Sequence, residues 1–326
     1  MNALSGCMNV RVSCVWGYMC SAVLKVIVTF WRCAARCNIC NLCRKEEGIL
    51  MIAPGQKERA VQLLRLHSEP PILVLANAWD AASARVFEQA GFRAIATTSS
   101  GVAAALGYPD GEYISRAMLV ETVARIARVI AGPLTVDIEA GFGNSIEEKL
   151  QTVRAVIEAG AVGINIEDST KGQEKKLVDT SFQVELLRGV RELASSMDMP
   201  LVINARTDVY LLPTGDAGSR FEQAVQRAHA YRQAGADCFF PIGLNDARVI
   251  ADLVPAASMP VNILANSATP PIPELAQLGV ARVSFGSGPM RAALGHLRGV
   301  ARELLESGTY TSMTEGAISG AELRFL

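Results

Sequence analysis

This chain is short of several things, and each shortage removes a class of function. Net charge is nearly absent: 31 Lys+Arg against 32 Asp+Glu leave −1 over 326 residues. Such a balance offers no electrostatic footprint for nucleic acid or for an anionic membrane. Histidine is scarce. His67, His229 and His296 fall on helix-like segments away from strand ends, and no Ser/His/Asp arrangement with usable placement appears. After Cys43 the only cysteine is Cys238, so the body of the chain calls for no disulfide framework. What remains is apolar and mixed: 50% hydrophobic and 19% charged residues. That suits a soluble globular enzyme with a large core and excludes disorder or a polytopic membrane protein.

The first fifty residues differ from the rest. Cys7, Cys14, Cys20, Cys33, Cys37, Cys40 and Cys43 crowd there with Trp16 and Trp31, which marks a boundary near Met51. Cys37-x-x-Cys40-x-x-Cys43 has metal-site spacing, but no matching second pair follows. Val15 to Trp31 is apolar apart from Lys25, yet short for a span and without a clear cleavage site. The favoured reading makes residues 1–50 an extension outside the fold and residues 51–326 the working domain.

From Met51 on, a short apolar run repeatedly precedes a helical pattern. The eight runs are Ile72–Ala76, Arg93–Thr97, Leu134–Glu139, Gly163–Glu167, Leu201–Arg206, Asp237–Pro241, Val261–Leu264 and Arg282–Phe285. Helices close on Gly91, Gly160, Gly235 and Gly279, a residue that takes positive φ without strain. Eight such units predict an α/β fold, a closed (β/α)8 barrel. The runner-up, a doubly wound open sheet, would carry a Gly-rich loop after its first strand; Asn77-Ala78-Trp79-Asp80 stands there instead.

Barrel chemistry sits at the C-terminal strand ends. Strand 3 brings Asp137 and Glu139, strand 4 Asn165, Glu167 and Asp168, strand 5 Asn204, Arg206 and Asp208. Alternation puts Asp137 and Glu139 on one face and Glu167 beside them. Three carboxylates in one mouth repel unless a proton or a cation intervenes. An oxygen-only set suggests Mg²⁺ or Mn²⁺ with retained waters. Arg206 suits a substrate carboxylate or phosphate, or a partner for Glu167. Asn204 and Asn165 either orient the acids or bond within the barrel. Ser99, Ser100 and Gly101 expose backbone N–H groups to an anion, or simply turn the chain. Asp110 is a turn residue or a mobile acid–base. Gly286-Ser287-Gly288 is a phosphate loop or a tight turn.

Asn77 to Ala84, Thr98 to Gly101, Asp137 to Gly143, Ile166 to Asp168 and Asn204 to Asp208 together resemble the isocitrate lyase/phosphoenolpyruvate mutase superfamily, in order, over about residues 55 to 310. The resemblance implies a barrel whose last helix is exchanged between subunits, in homodimers or homotetramers. It implies a Mg²⁺-bound 2-oxo acid or its enolate. It implies Asp137, Glu139 and Glu167 at the metal, and Arg206 with the backbone at Ser100 and Gly101 on the substrate carboxylate. Trp79 would form the pocket wall and Asp110 would be an acid near the reacting carbon. The isocitrate and methylisocitrate lyases of this superfamily carry a Lys-Lys-Cys-Gly-His loop after strand 4. Here Ser169 to Thr180 contains Lys175-Lys176 but neither Cys nor His, and it lacks the asparagine of the phosphonate-forming members.

The expectation is therefore a cytoplasmic, Mg²⁺-dependent carbon–carbon lyase. It would act on a small 2-oxo or 2-hydroxy acid through a metal-stabilised pyruvate-type enolate, like a methylisocitrate lyase or an oxaloacetate decarboxylase. Arg206, Asp110 and Lys171 are expected to be catalytic; Trp79, Ser99, Ser100, Gly101, Asn204 and Arg206 to contact substrate. The alternatives are a phosphonomutase and a non-catalytic barrel that binds a phosphorylated metabolite.

Overall fold

The computed structural model describes residues 52–170 and 175–324. The cysteine-rich head and Lys171 lie outside the described residues. Eight strands alternate with helices: β1 (Leu73–Ala78), β2 (Ile95–Thr97), β3 (Leu134–Asp137), β4 (Gly163–Glu167), β5 (Val202–Thr207), β6 (Cys238–Pro241), β7 (Asn262–Leu264) and β8 (Arg282–Ser284). All neighbours pair in parallel, in the order β6-β5-β4-β3-β2-β1-β8-β7. A parallel bridge from Phe239 to Val261 joins the two outer strands, so the sheet forms a nearly closed (β/α)8 barrel. The outer ring holds α1 (Gln56–Leu66), α2 (Ala81–Gln89), α3 (Ser99–Ala105), α4 (Arg116–Val129), α5 (Ile146–Glu158), α6 (Thr180–Ser196), α7 (Ala217–Gln233), α8 (Ala247–Ala257), α9 (Ile272–Gln277) and α10 (Gly288–Glu306), before the short α11 (Thr311–Thr314) and α12 (Gly320–Leu323).

Local chemistry explains the joints. Gly91, Gly160, Gly235 and Gly279 all take positive φ, between 81° and 112°, as the helix-ending pattern requires. Asp80 caps α2 by accepting from Ser83 N at 2.7 Å, and Ser83 Oγ returns a bond to Asp80 N. Ser145 and Glu148 build the same reciprocal cap on α5. Between strands and helices lies one layer of buried Val, Ile and Leu, among them Ile126, Val156, Ile164, Ile203, Ile250 and Val283, each fully enclosed. Close approach matters at Gly163, where a Cβ would fall 2.8 Å from Leu63 Cδ2 and 3.0 Å from Thr135 Oγ1.

Strand β3 ends at Asp137, two residues before the expected end. Glu139 then sits in a turn with φ 50°, followed by Gly141 at 110° and Phe142 at 56°. Left-handed conformations at two non-glycine residues store strain that the surroundings must hold. They do: Ile138 N donates to Asn165 O and Glu167 N to Glu139 O. The last helix behaves differently. Only Met290 and Val300 of α10 are buried, while Leu294, Leu297, Leu304 and Leu305 are exposed. Among the described residues, no helix is long and apolar enough to cross a membrane.

Candidate active site

A cavity of about 270 Å³ opens at the strand ends, lined by Ser99, Ser100, Asp110, Asp137, Arg206 and Ser287 near the mouth. Its wall is braced by Asn77, whose Nδ2 donates to Thr97 O and whose Oδ1 accepts from Phe285 N and Gly286 N. One amide thus ties β1 to the segments after β2 and β8. Gly286 N is spent on this brace, which leaves it unable to serve a phosphate loop.

Asp137 is the hub of the acidic side. Its Oδ1 accepts from Asn165 Nδ2 at 3.0 Å and Glu139 N at 3.2 Å, and its Oδ2 accepts from Ser99 N at 3.1 Å. Asn204 stands one step behind, donating from Nδ2 to Asn165 Oδ1 at 2.7 Å. Glu139 is 4% exposed and accepts no hydrogen bond from another described side chain. Burial, with Asp137, Asp110, Glu167 and Glu112 around it, pushes its carboxyl up to about 8. Asp110 is raised as well, by desolvation and by Asp137, while a hydrogen bond from Ser99 opposes the rise.

Glu167 faces a cationic side instead. Arg206 Nη1 lies 2.8 Å from its Oε2, and Lys175 Nζ and Ser169 Oγ each lie 3.0 Å from its Oε1. Arg206 Nε and Nη2 also grip Asp208, at 2.7 and 3.1 Å. These acids raise the Arg206 pKa against the cost of its burial. A guanidinium has five N–H donors, so two remain after these contacts. Residues 169–170 and 176–178 form the base of a hairpin, with Thr170 N on Lys176 O and Val178 N on Asp168 O. That hairpin is what carries Lys175 to Glu167.

Asp168, next in sequence, points the other way, into the helix layer. It is fully buried and accepts from Arg227 Nη1 at 2.9 Å, Tyr231 Oη at 2.6 Å and Asp208 N at 3.0 Å.

The expected residues take different places in the structure. Glu139 reaches the mouth through a left-handed turn, not through strand alternation. The three acids do not close into a ready cage: among the described residues no group of three His, Cys, Asp or Glu side chains is drawn together as a metal site. Glu167 is paired instead with Arg206 and Lys175. Ser99 N serves Asp137 and not an incoming anion. Trp79 and Gly101 do not line the cavity; the Trp79 ring packs edge-on against Phe87 at 6.4 Å, and Gly101 is buried against Thr98. Asn204 is fully enclosed behind Asn165 and touches no substrate space. Two further residues stand at the site that strand ends did not point to: Lys175, on Glu167, and Arg282, in the cavity lining. Lys175 was visible as half of Lys175-Lys176, but only the hairpin shows which lysine turns inward.

The donor chemistry still fits a hard divalent ion. Asp137, Glu139 and Asp110 offer oxygen only, and burial together with the surrounding acids drives Glu139 up to about 8, a state that a bound cation would relieve. Mg²⁺ keeps several waters and takes one or two carboxylates, so it needs no tight cage.

Residues 63–305 of this (β/α)8 barrel match the family model described as phosphoenolpyruvate phosphomutase. The 2-methylisocitrate lyase of Escherichia coli K12 is 30% identical over 274 residues, covering 81% of this chain and 88% of that protein. A candidate phosphonomutase from Burkholderia cenocepacia J2315 has a solved structure that is 39% identical, with TM-score 0.72 over 75% of this chain and 99% of that one. The structure of 2,3-dimethylmalate lyase is 25% identical, TM-score 0.72, over 82% and 94% of the two chains. The chain belongs to the phosphoenolpyruvate phosphomutase family, within the isocitrate lyase/phosphoenolpyruvate mutase superfamily. Members are lyases or mutases.

Proposed function

We propose that this chain is a Mg²⁺-dependent lyase that breaks a carbon–carbon bond in a small 2-oxo or 2-hydroxy acid by way of a pyruvate-type enolate. One observation carries the reading: the cavity lining sets Asp137 and Asp110 opposite Arg206, with Glu139 beside the acids and Lys175 sharing Glu167 with the arginine. Asp137, with Glu139 behind it, would hold the ion through waters. Bound there, Mg²⁺ would supply Lewis-acid stabilisation of developing negative charge. Arg206 turns its two remaining N–H donors toward the substrate carboxylate and is held rigid by Glu167 and Asp208. Asn165 and Asn204 hold the Asp137 carboxylate in place. Asp110, with its raised pKa and its place on the cavity lining, carries the proton to or from the reacting carbon. Lys175 stands where a charge near the enolate oxygen is useful, and Lys171 would serve as a second catalytic lysine.

The test is a screen of 2-oxo and 2-hydroxy acids for pyruvate release with Mg²⁺ and with EDTA. Release that needs the ion and disappears in Asp137→Ala supports the reading. No release from any such acid, with Asp137→Ala indistinguishable from the parent, defeats it.

Carbon–phosphorus transfer is the second reading, favoured by the likeness to the candidate phosphonomutase of Burkholderia cenocepacia J2315. A phosphonate signal in a ³¹P spectrum after incubation with phosphoenolpyruvate would select it. We further propose a cytoplasmic homodimer or homotetramer, because Leu294, Leu297, Leu304 and Leu305 on α10 want a partner surface. Light scattering at micromolar concentration decides that point.

A further inference from the structure

The same cavity has a second end. Arg282, the first residue of β8, faces the barrel interior and lines the cavity with Ser284, Thr135 and Phe240. It is 2% exposed, yet Nε and Nη1 have no hydrogen-bond partner, and no acidic side chain among the described residues lies within ion-pair distance. A buried guanidinium without an acid is costly, and every other buried arginine here is matched: Arg206 to Glu167 and Asp208, Arg227 to Asp168. Its charged and titratable neighbours are His67 on the α1 side, Cys238 on β6 and, farther up, Asp137. None supplies a paired anion. Burial lowers the His67 pKa to about 4, so that ring is neutral, and Cys238 is pushed up to about 12, so it remains a thiol. Asn262 Oδ1 and Thr135 Oγ1 are likewise buried without partners.

Charge counting along the cavity is simple. Arg206 and Lys175 are matched by Glu167 and Asp208; Asp137 and Asp110 line the mouth; Arg282 is left at depth with an unmatched guanidinium. A molecule that satisfies both ends carries one carboxylate for the two remaining N–H donors of Arg206 at the mouth and a second anionic group for Arg282 below.

We infer that Arg282 is a specificity-determining residue that binds the second carboxylate of a dicarboxylate substrate. This rests on the proposed acid-binding role of the cavity and narrows it from small acids in general to diacids. A monocarboxylate such as pyruvate would leave the guanidinium unmet, so it would be released as a product and not held.

Calorimetry on the full chain with Mg²⁺ tests this without turnover. The probes are malonate, succinate, glutarate and adipate, their monomethyl esters, and pyruvate. The best diacid should lose about 30-fold or more in affinity in Arg282→Met, as expected when one partner of a buried charge pair is removed. Arg282→Lys should recover part of it, while pyruvate shifts less than about 3-fold. In the wild-type chain the monomethyl ester should bind as weakly as the diacid does to Arg282→Met, so the result stands even if a variant folds badly. Equal binding of diacid and ester, unchanged diacid affinity in Arg282→Met, or no binding by any diacid overturns the inference. Diacid selectivity without pyruvate release in the activity screen would sink the lyase reading and leave Arg282 in place. Pyruvate release with no diacid selectivity would do the reverse.

Discussion

Glu167 and Asp168 are chain neighbours, both buried acids at the end of one strand, and they do opposite work. Glu167 faces the barrel mouth, where Arg206, Lys175 and Ser169 crowd it and Asp137 and Glu139 stand nearby. Asp168 faces the helix layer, where Arg227, Tyr231 and the Asp208 backbone satisfy it. A strand sends successive side chains to opposite faces, so a single step along the chain separates a reactive surroundings from a structural one. The outer cluster has one acid for one arginine. The inner one has more acids than cations near the mouth, and Glu139 registers the excess.

Mutating each side should separate the two roles. Asp168→Ala strands the Arg227 guanidinium in the helix layer, which typically costs about 3–5 kcal/mol. A calorimetric melt should show a fall in Tm of about 10 °C, with kcat at low temperature changed by no more than about 3-fold. Asp137→Ala should do the opposite, cutting kcat/KM by about 10²- to 10³-fold with little change in Tm. If the two variants exchange these signatures, the contrast drawn between the clusters is wrong.

Lys175→Met sharpens the inner side. It removes one of the two cations on Glu167 while leaving Arg206, and its side chain is 30% exposed. Turnover should fall by about 10-fold and Tm by about 1 °C or less.

Glu139 yields a pH test. Its ordinary pKa of 4.5 rises to about 8 in the fold. Between those values the folded chain keeps a proton that the unfolded chain has released. Stability in cation-free buffer must therefore fall as pH rises across that window. Glu139→Gln removes the slope. The variant should melt about 3 °C above the parent at pH 8.5 and converge with it toward pH 5. Adding Mg²⁺ at pH 8.5 should raise the parent's Tm and leave the variant's nearly unchanged.

The smallest effect expected is from deleting residues 1–50. Both clusters and all eight strands lie beyond them. A melt and an activity assay of the shortened chain should match the parent within about 2 °C and 2-fold.

Much of this was legible in the sequence. Each of the eight apolar runs overlaps a strand, because a strand covered on both faces reads as nearly continuous hydrophobics. The four joint glycines adopt positive φ. The inward set Asn165, Glu167, Asn204 and Arg206 follows from alternation and pairs across β4 and β5 as Asn165 with Asn204 and Glu167 with Arg206. Side-chain directions outside regular structure were not legible, because no period fixes them there. Trp79 left the pocket for Phe87, and Glu139 arrived by a strained turn. Arg282 went unread because the start of a barrel strand is the end where chemistry is not expected. Yet its long side chain points inward and lines the cavity.

The amino-acid order by itself determined the number of strand–helix units, their parallel direction and the acids brought to each strand end, since period and composition are local properties of the chain. Which carboxylates keep their charge unmatched, which lysine turns inward and which arginine lies buried without an acid were decided only by the closed barrel. Those are questions of distance between residues far apart in sequence, and in a low-dielectric interior it is distance that sets the energy of a charge.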